Sequence, residues 1–257
     1  MGLIQHSATR CLCPHPIHSA GCPRMIFAIL RFDIGQRVET DFRGAYRQLL
    51  ATLRRIPGNN EWFCGENTPK QKLIPFEDED AVVERLRERA DRMGSTSFSA
   101  SVVNDNGTKR RPGLIEIDYI PAMGYMTVSL YRPDQLHANP SRLVAETLLS
   151  LLEGEPGTTF AFADIYDKVD GEFQFYKTKY ATFPHRQCVG WMAYVRQAVS
   201  RQQLPLAADV LPAPGGSIVV SIDQAFDLSN KEHIQRANEV EMEMNDLGLL
   251  AVTDPTF

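Results

Sequence analysis

The sequence predicts an α+β protein: mixed, largely antiparallel sheets with helices packed on them, in two α/β lobes. Three observations carry this. Apolar residues recur at helical spacing in some segments and at alternate positions in others. The strand-like segments run in meanders between helices, where a doubly wound parallel sheet would alternate strand and helix regularly. The chain has 257 residues, 43% of them hydrophobic, enough to bury a core without staples.

Residues 1–24 stand apart by composition, with Cys11, Cys13, Cys22, three histidines, two arginines and no acid. A zinc corner from Cys11, Cys13, His15, His18 and Cys22 would match none of the familiar ligand spacings. "SAGC" at 19–22 is similar to a lipoprotein cleavage site, but no apolar region precedes it. Met25 therefore reads as the natural start, and 1–24 as a leader that is disordered or outside the native chain. The first lobe covers 25–154. "MIFAILRFDI" (25–34) is a short apolar run rich in β-formers, a buried strand. In the helix that follows, Phe42, Ala45, Tyr46, Leu49, Leu53 and Ile56 share a face, and Pro57-Gly58 stops it. "DEDAVVERLRERADRMG" (78–94) is a second helix, with acids first and arginines later, the order its dipole favours. "SFSASVV" and "LIEIDYI" read as strands flanking a loop with the turn signal Asn106-Gly107. "YMTVSLY" (125–131) places Met126, Val128 and Leu130 on one side and Thr127 and Ser129 on the other. A helix from Pro140 to Gly154 closes the lobe.

The second lobe, 155–257, begins after a joint near Gly154–Thr158. "TFAFADIY" is a strand, an irregular aromatic stretch runs to Pro184, and "WMAYVRQAVSR" (191–201) is expected to be helical. "LPAPGG" is a turn region and "SIVVSI" a strand. Ser229 with Glu232 three residues on predicts a capping box opening the last helix. Its apolar stripe is Ile234, Ala237, Val240, Met244 and Leu247, with Glu232, Glu239, Glu243 and Asp246 opposite. "GLLAV" (248–252) reads as an edge strand.

Charge and cysteine content bound the function. The net charge is −5, and −7 without the leader's Arg10 and Arg24. From Ser221 onward eight acids face only Lys231 and Arg236, a net of −6 in 37 residues. A binder of nucleic-acid backbone would show a basic stripe instead. The longest apolar stretch near the start, "MIFAIL", is far below the roughly 18–20 residues a spanning helix needs. Five cysteines, with Cys64 and Cys188 far apart, make no disulfide framework and point to a reducing compartment, the cytoplasm.

The commonest catalytic motifs are missing. No lysine directly follows a glycine, so there is no phosphate-binding loop, and there is no G-x-S-x-G, H-E-x-x-H or G-x-G-x-x-G. No acid stands two residues before a lysine, which removes half of a restriction-type nuclease site. The enzymatic reading that remains is a hydrolase or transferase using Cys188 as nucleophile. His185 and Arg186 would lower its pKa, and Asp164 or Asp167 would orient the imidazole. Against it, Pro184 precedes, and a free cysteine beside Val189 and Trp191 is more often a small buried apolar residue. A regulatory or scaffold module is a third reading. "FQFYKTKYATF" (173–183) has the lysine and aromatic mixture of a base-stacking surface. The acids just before it in "DIYDKVDGE" disfavour nucleic acid, and the preferred reading is an alternating strand or ribbon with one apolar face and a protein-facing edge.

Four segments together carry a family likeness: "EWFCG", "GYMTVSLY", "VGWMAYV" and "GGSIVVSIDQAFDLSNKEHIQRANEVEMEMNDLGLL". Over about Met25 to Leu250 the chain resembles the immunity protein 52 family of bacterial polymorphic-toxin systems. The resemblance implies an α+β protein that neutralises a toxin encoded beside it by non-catalytic binding. The toxins linked to this family are restriction-endonuclease-like nucleases, often delivered by type VI secretion. It brings no catalytic residues, metal or cofactor. Its landmarks fall on Trp62, Gly190, Trp191, Gly216, Phe226, Asp227 and Gly248, most of them expected to serve the fold. An acidic inhibitor gains steered association with a basic nuclease cleft. The expected toxin-binding residues are therefore Asp164, Asp167, Asp170 and Glu172, the aromatic anchors Phe173, Phe175, Tyr176 and Trp191, and Glu239, Glu243 and Asp246 on the last helix. The free protein is expected to be a monomer or weak dimer, with no membrane or direct nucleic-acid contact.

Overall fold

A computed structural model describes residues 25–58, 61–65, 72–105, 110–254 and 256 of the chain. The Cys/His group of the leader and the Asn106-Gly107 turn lie outside those residues. The apolar run after Met25 forms strand β1 (Met25–Asp33), which is paired along both edges. On one side lies β6 (Tyr125–Tyr131) and on the other β7 (Phe160–Val169), both antiparallel. Beyond β6 follow β5 (Ile115–Ile120), β4 (Ala100–Val103) and the two-residue strands β2 (Phe63–Cys64) and β3 (Ile74–Pro75). Beyond β7 follow β9 (Met192–Val195), β11 (Gly216–Val220) and β10 (Asp209–Ala213), while β8 (Glu172–Phe175) pairs with the far end of β7. This is one α+β architecture built on an 11-stranded antiparallel sheet, and residues 25–154 and 155–257 meet inside that sheet along β1 and β7.

The period-2 pattern divides the sheet into two faces. On the first, Leu30 stands level with Val128 and Ala163, and that row continues through Ala28, Phe32, Met126, Leu130, Ile117 and Ile165. Helices α1 (Phe42–Leu53), α2 (Glu79–Arg92) and α3 (Pro140–Gly154) cover this face, with α1 packed against both others. Each helix starts where a short polar side chain accepts an orphan amide: Asp41 from Gly44, Asp78 from Ala81, Asn139 from Arg142. Buried Glu155 follows α3 and accepts a bond from Arg37 Nη2 at 3.0 Å, and the same nitrogen donates to the Tyr119 hydroxyl. Among the described residues the one long helix over the second face is α5 (Lys231–Asp246), at the β7–β9–β11 end, whose Val240 and Met244 pack on Phe160, Phe162, Ala193, Val195 and Val219.

Five local expectations need correction. "WMAYV" is not helical: it forms β9 between β7 and β11 and is buried throughout. A short apolar run fits either state, and pairing on both edges decides for strand. "GLLAV" makes one isolated bridge, Arg186 with Val252, and otherwise lies under α5 through Leu249 and Leu250. The cap of α5 is Asn230, which accepts the Glu232 amide, while Ser229 bonds Asp227. The buried stripe of α5 is His233, Ala237, Val240, Glu241 and Met244, and Leu247 is exposed. The stretch after β7 is more regular than expected, continuing through β8 into the one-turn helix α4 (Tyr176–Lys179).

The landmark pair Gly190-Trp191 joins this segment to the sheet. Trp191 N donates to Ala163 O at 2.9 Å, its indole Nε1 donates to Ile222 O at 2.8 Å, and the ring is wholly buried. Gly190 has φ +57°, and a Cβ there would lie 2.3 Å from Ala163 O. Gly190→Ala is therefore expected to cost at least about 3 kcal/mol, by steric conflict with backbone as well as left-handed strain. Gly58→Ala, with φ +73° and open space around it, should cost only about 1–2 kcal/mol. Denaturant titration of the two variants checks the difference.

Candidate functional site

The uncovered part of the second face is where the chain presents chemistry. Strand alternation that buries Ala28, Leu30 and Phe32 turns Ile29, Arg31 and Asp33 the other way, level with Ser129, Thr127 and Tyr125 of β6. At its border stands the one-turn helix α4, whose Lys177 amide bonds Asp164, the β7 partner of Ile29. Aromatic rings cross it: Phe173 stacks on Tyr166 at 5.4 Å and 9°, Phe175 lies 4.6 Å from Tyr166, and Phe27 touches Tyr166 and Tyr131 at 6.0 and 5.2 Å. Cations sit over the rings, Lys168 on Phe173, Arg31 on Phe175 and Arg110 on Phe27, each 5.2–5.7 Å from a centroid. Aromatic and arginine side chains are the types enriched in protein interfaces. A cleft of about 440 Å³ adjoins the patch, lined by Arg31, Tyr125, Phe160, Phe162, Lys177 and Thr253.

The hairpin that displays Phe173 is closed by Asp170-Gly171, with φ of +52° and +90°. Two central residues with positive φ suit the right-handed twist of a tight hairpin. The dipeptide Asp170-Gly171 is a turn signal lying within a stretch expected from the sequence to be irregular. Phe173 is 61% exposed, Asp170 and Glu172 are exposed, and Phe175 is half-buried.

Several expected binding residues are not on the surface. Asp164 and Asp167 are buried in β7, Tyr176 is buried at the start of α4, and Trp191 is in the core. Asp164 accepts amides from Ile165 at 3.0 Å and Lys177 at 3.1 Å, and Arg31 stands 3.6 Å away. Burial raises its pKa against the pull of those partners. Asp167 accepts the Lys168 amide at 2.7 Å. Tyr176 donates its hydroxyl to Asn238 Oδ1 at 2.6 Å, tying α4 to α5. These four side chains hold the fold, and none is displayed to a partner.

The outer side of α5 does meet solvent. Glu232 and Asp246 are exposed, and Glu239 and Glu243 are half-exposed. Glu239 lies 3.5 Å from Arg236, and Glu243 accepts the Leu206 amide at 3.2 Å, so both carboxylates are held in place while remaining accessible. One acid of the run, Glu241, points inward and is fully buried. It accepts the Phe183 amide at 3.0 Å, and desolvation raises its pKa although the amides of Phe183, Val189 and Thr182 oppose this.

Cys188 lacks the exposure a nucleophile needs, and the Lys177 and Arg31 charges that favour its thiolate are outweighed. It is fully buried beside Val189, Phe162 and Met244, and burial together with the Glu241 and Asp164 carboxylates pushes its thiol well above the usual range. A nucleophilic thiolate needs an electropositive, accessible setting. The His185 carbonyl accepts amides from Thr253 and Asp254, Gln187 N donates to Ala251 O, and Arg186 Nη1 donates to Leu250 O. "HRQC" thus serves as the seam for the C-terminal segment. Cys64 is also buried, its thiol raised to about 11 by desolvation. Among the described residues no group of three or more His, Cys, Asp or Glu is placed to hold a metal ion, and no helix is long and apolar enough to cross a membrane.

No family model matches the sequence, and no curated protein matches it. Among solved structures, the chain is similar to a T6SS protein of Pseudomonas aeruginosa, with a TM-score of 0.47 and 13% identity over 86% of this chain and 73% of that one. A likeness of that size says nothing about function.

The burial of both described cysteines predicts how they react. Iodoacetamide should modify Cys64 and Cys188 in the native protein only as fast as the protein unfolds, and both at once in denaturant. Time-resolved peptide mass mapping checks this, and rapid native labelling of Cys188 would restore it as a nucleophile.

Proposed function

We propose that this chain is an immunity protein: a cytoplasmic, non-catalytic inhibitor that binds a cognate toxin encoded beside it and blocks it stoichiometrically. The toxin class that fits is a restriction-endonuclease-like nuclease delivered by type VI secretion, as the resemblance to the immunity protein 52 family implies. The observation that carries the reading is the acidic outer side of α5, where Glu232, Glu239, Glu243 and Asp246 face solvent against two cations, Lys231 and Arg236.

The physics runs from that surface to inhibition. A nuclease must gather positive charge to hold a phosphate backbone. A preformed acidic helix face is drawn to the same charge, which speeds encounter, and it excludes nucleic acid once docked. Charge alone seldom gives tight binding, because exposed ion pairs contribute only about 0–1 kcal/mol each. Affinity then needs apolar anchors that lose water on docking, and Phe173, with Tyr166 and Phe175 behind it, is such an anchor. The buried Asp164, Asp167, Tyr176 and Trp191 contribute by holding β7, α4 and α5 in register.

Two substitutions test the reading once the product of the adjacent reading frame is expressed. Glu239→Lys/Glu243→Lys/Asp246→Lys should slow association at least about tenfold and flatten its salt dependence, with a smaller effect on dissociation. Phe173→Ala should speed dissociation about tenfold or more. Binding kinetics at two ionic strengths separate the two effects. Equal survival of toxin-producing cells with and without this gene would overturn the proposal.

A further inference from the structure

The helical layer on the first face stops short of the sheet edge. Helices α2, α1 and α3 lie side by side, and past α3 the strands β11 and β10 have no helix above them among the described residues. A groove of about 340 Å³ results. Its floor is Ile218 and Val220 of β11 with Leu211 of β10, and its wall is Ala145 and Leu149 of α3. Leu149 and Leu211 are only half-buried, although they pack against the main core. The rim carries Arg142 and Glu146, paired with each other at 2.7 Å, and the exposed carboxylates Asp209 and Asp223, which make no ion pair among the described residues.

We infer that this groove seats a basic amphipathic helix of a partner protein, as a fourth member of the helical layer. Three features favour that occupant. The apolar floor is flanked by two carboxylates lacking a cation, so the complement is a row of apolar side chains bordered by Lys or Arg. The adjoining strand β10 carries Pro212, which has no N–H to give to a new strand, so an extended segment adding to this edge is disfavoured. The wall is itself a helix, and packing side chains of one helix between those of another at the usual 8–10 Å separation continues the layer. The inference stands whether or not the partner is a nuclease, and it uses a surface separate from the outer side of α5.

The test uses a fluorescein-labelled peptide of about 14 residues, roughly four helical turns, with leucines at i, i+3, i+4 and i+7 and lysines elsewhere. A second peptide has glutamate for lysine. Anisotropy titration should give saturable one-to-one binding of the lysine peptide and none of the glutamate peptide. Asp209→Lys/Asp223→Lys should weaken it about tenfold or more, as should Leu211→Glu. Both aspartates are exposed, so the charge variant keeps its fold, which circular dichroism verifies. Glu239→Lys/Glu243→Lys/Asp246→Lys should leave peptide affinity unchanged. The proposal is overturned if the groove variants bind the peptide as the parent does, or if the α5 variant alone loses it. It is equally overturned if sedimentation shows self-association that Leu211→Glu abolishes, since the occupant would then be a second copy of this chain. Loss of toxin binding in the α5 variant with peptide binding intact separates failure of this inference from failure of the immunity reading.

Discussion

Hydrogen bonding along both edges of β1 is the constraint on which the rest of the molecule depends. Asp33 stands opposite Tyr125 on one side and Phe160 on the other, so a single strand joins the β6 meander to the β7 meander. Everything beyond β7 is reached through it: β9 pairs with β7, β11 with β9, and Trp191 donates to Ala163 in β7. Removing β1 would leave two sheet fragments, each with an unsatisfied central edge and half a core. Buried backbone groups lacking partners cost about 1–3 kcal/mol each, so such fragments would be far from stable alone.

That constraint also explains why the two sides of the sheet differ. Three helices drawn from the first half cover one side, while among the described residues the other is covered by α5, over β7, β9 and β11, with the one-turn α4 beside it at Asp164. Fully burying Val240 and Met244 is worth about 1.5–3 kcal/mol each, against a cost of several kcal/mol for burying an ion such as Glu241 without partners. Glu241 gains one amide bond, from Phe183, while its Oε2 is buried without a hydrogen-bond partner among the described residues, and that single bond ties the segment before Pro184 to the helix. The acidic outer side of α5 is thus presented on a rigid support, and the aromatic hairpin is held on the same side of the sheet through Tyr166.

Much of this was legible in the residues, and the misses have physical causes. Alternation in "YMTVSLY" correctly divided buried Met126, Val128 and Leu130 from the open side, because a strand with one uncovered side must alternate. Acids followed by arginines marked α2, and Pro140 marked the start of α3. Asp164 and Asp167 looked like surface acids because composition favours exposure for carboxylates, whereas both are buried in β7, Asp164 beneath the Lys177 amide of α4. "WMAYV" looked helical because a short apolar run carries no period of its own. Glu241 could not be told from its neighbours Glu239 and Glu243 by residue type. Its burial follows from the roll of α5 about its axis, set by His233, Ala237 and Met244 together.

The two strands at the ends of the sheet, β3 and β10, each contain a proline, Pro75 and Pro212. Neither end offers an unbroken row of amides for stacking into fibres, which guards an eleven-stranded sheet against polymerising when the protein is abundant. At these two ends the missing amide disfavours an added strand, so contact through side chains above or below the strands is the easier mode.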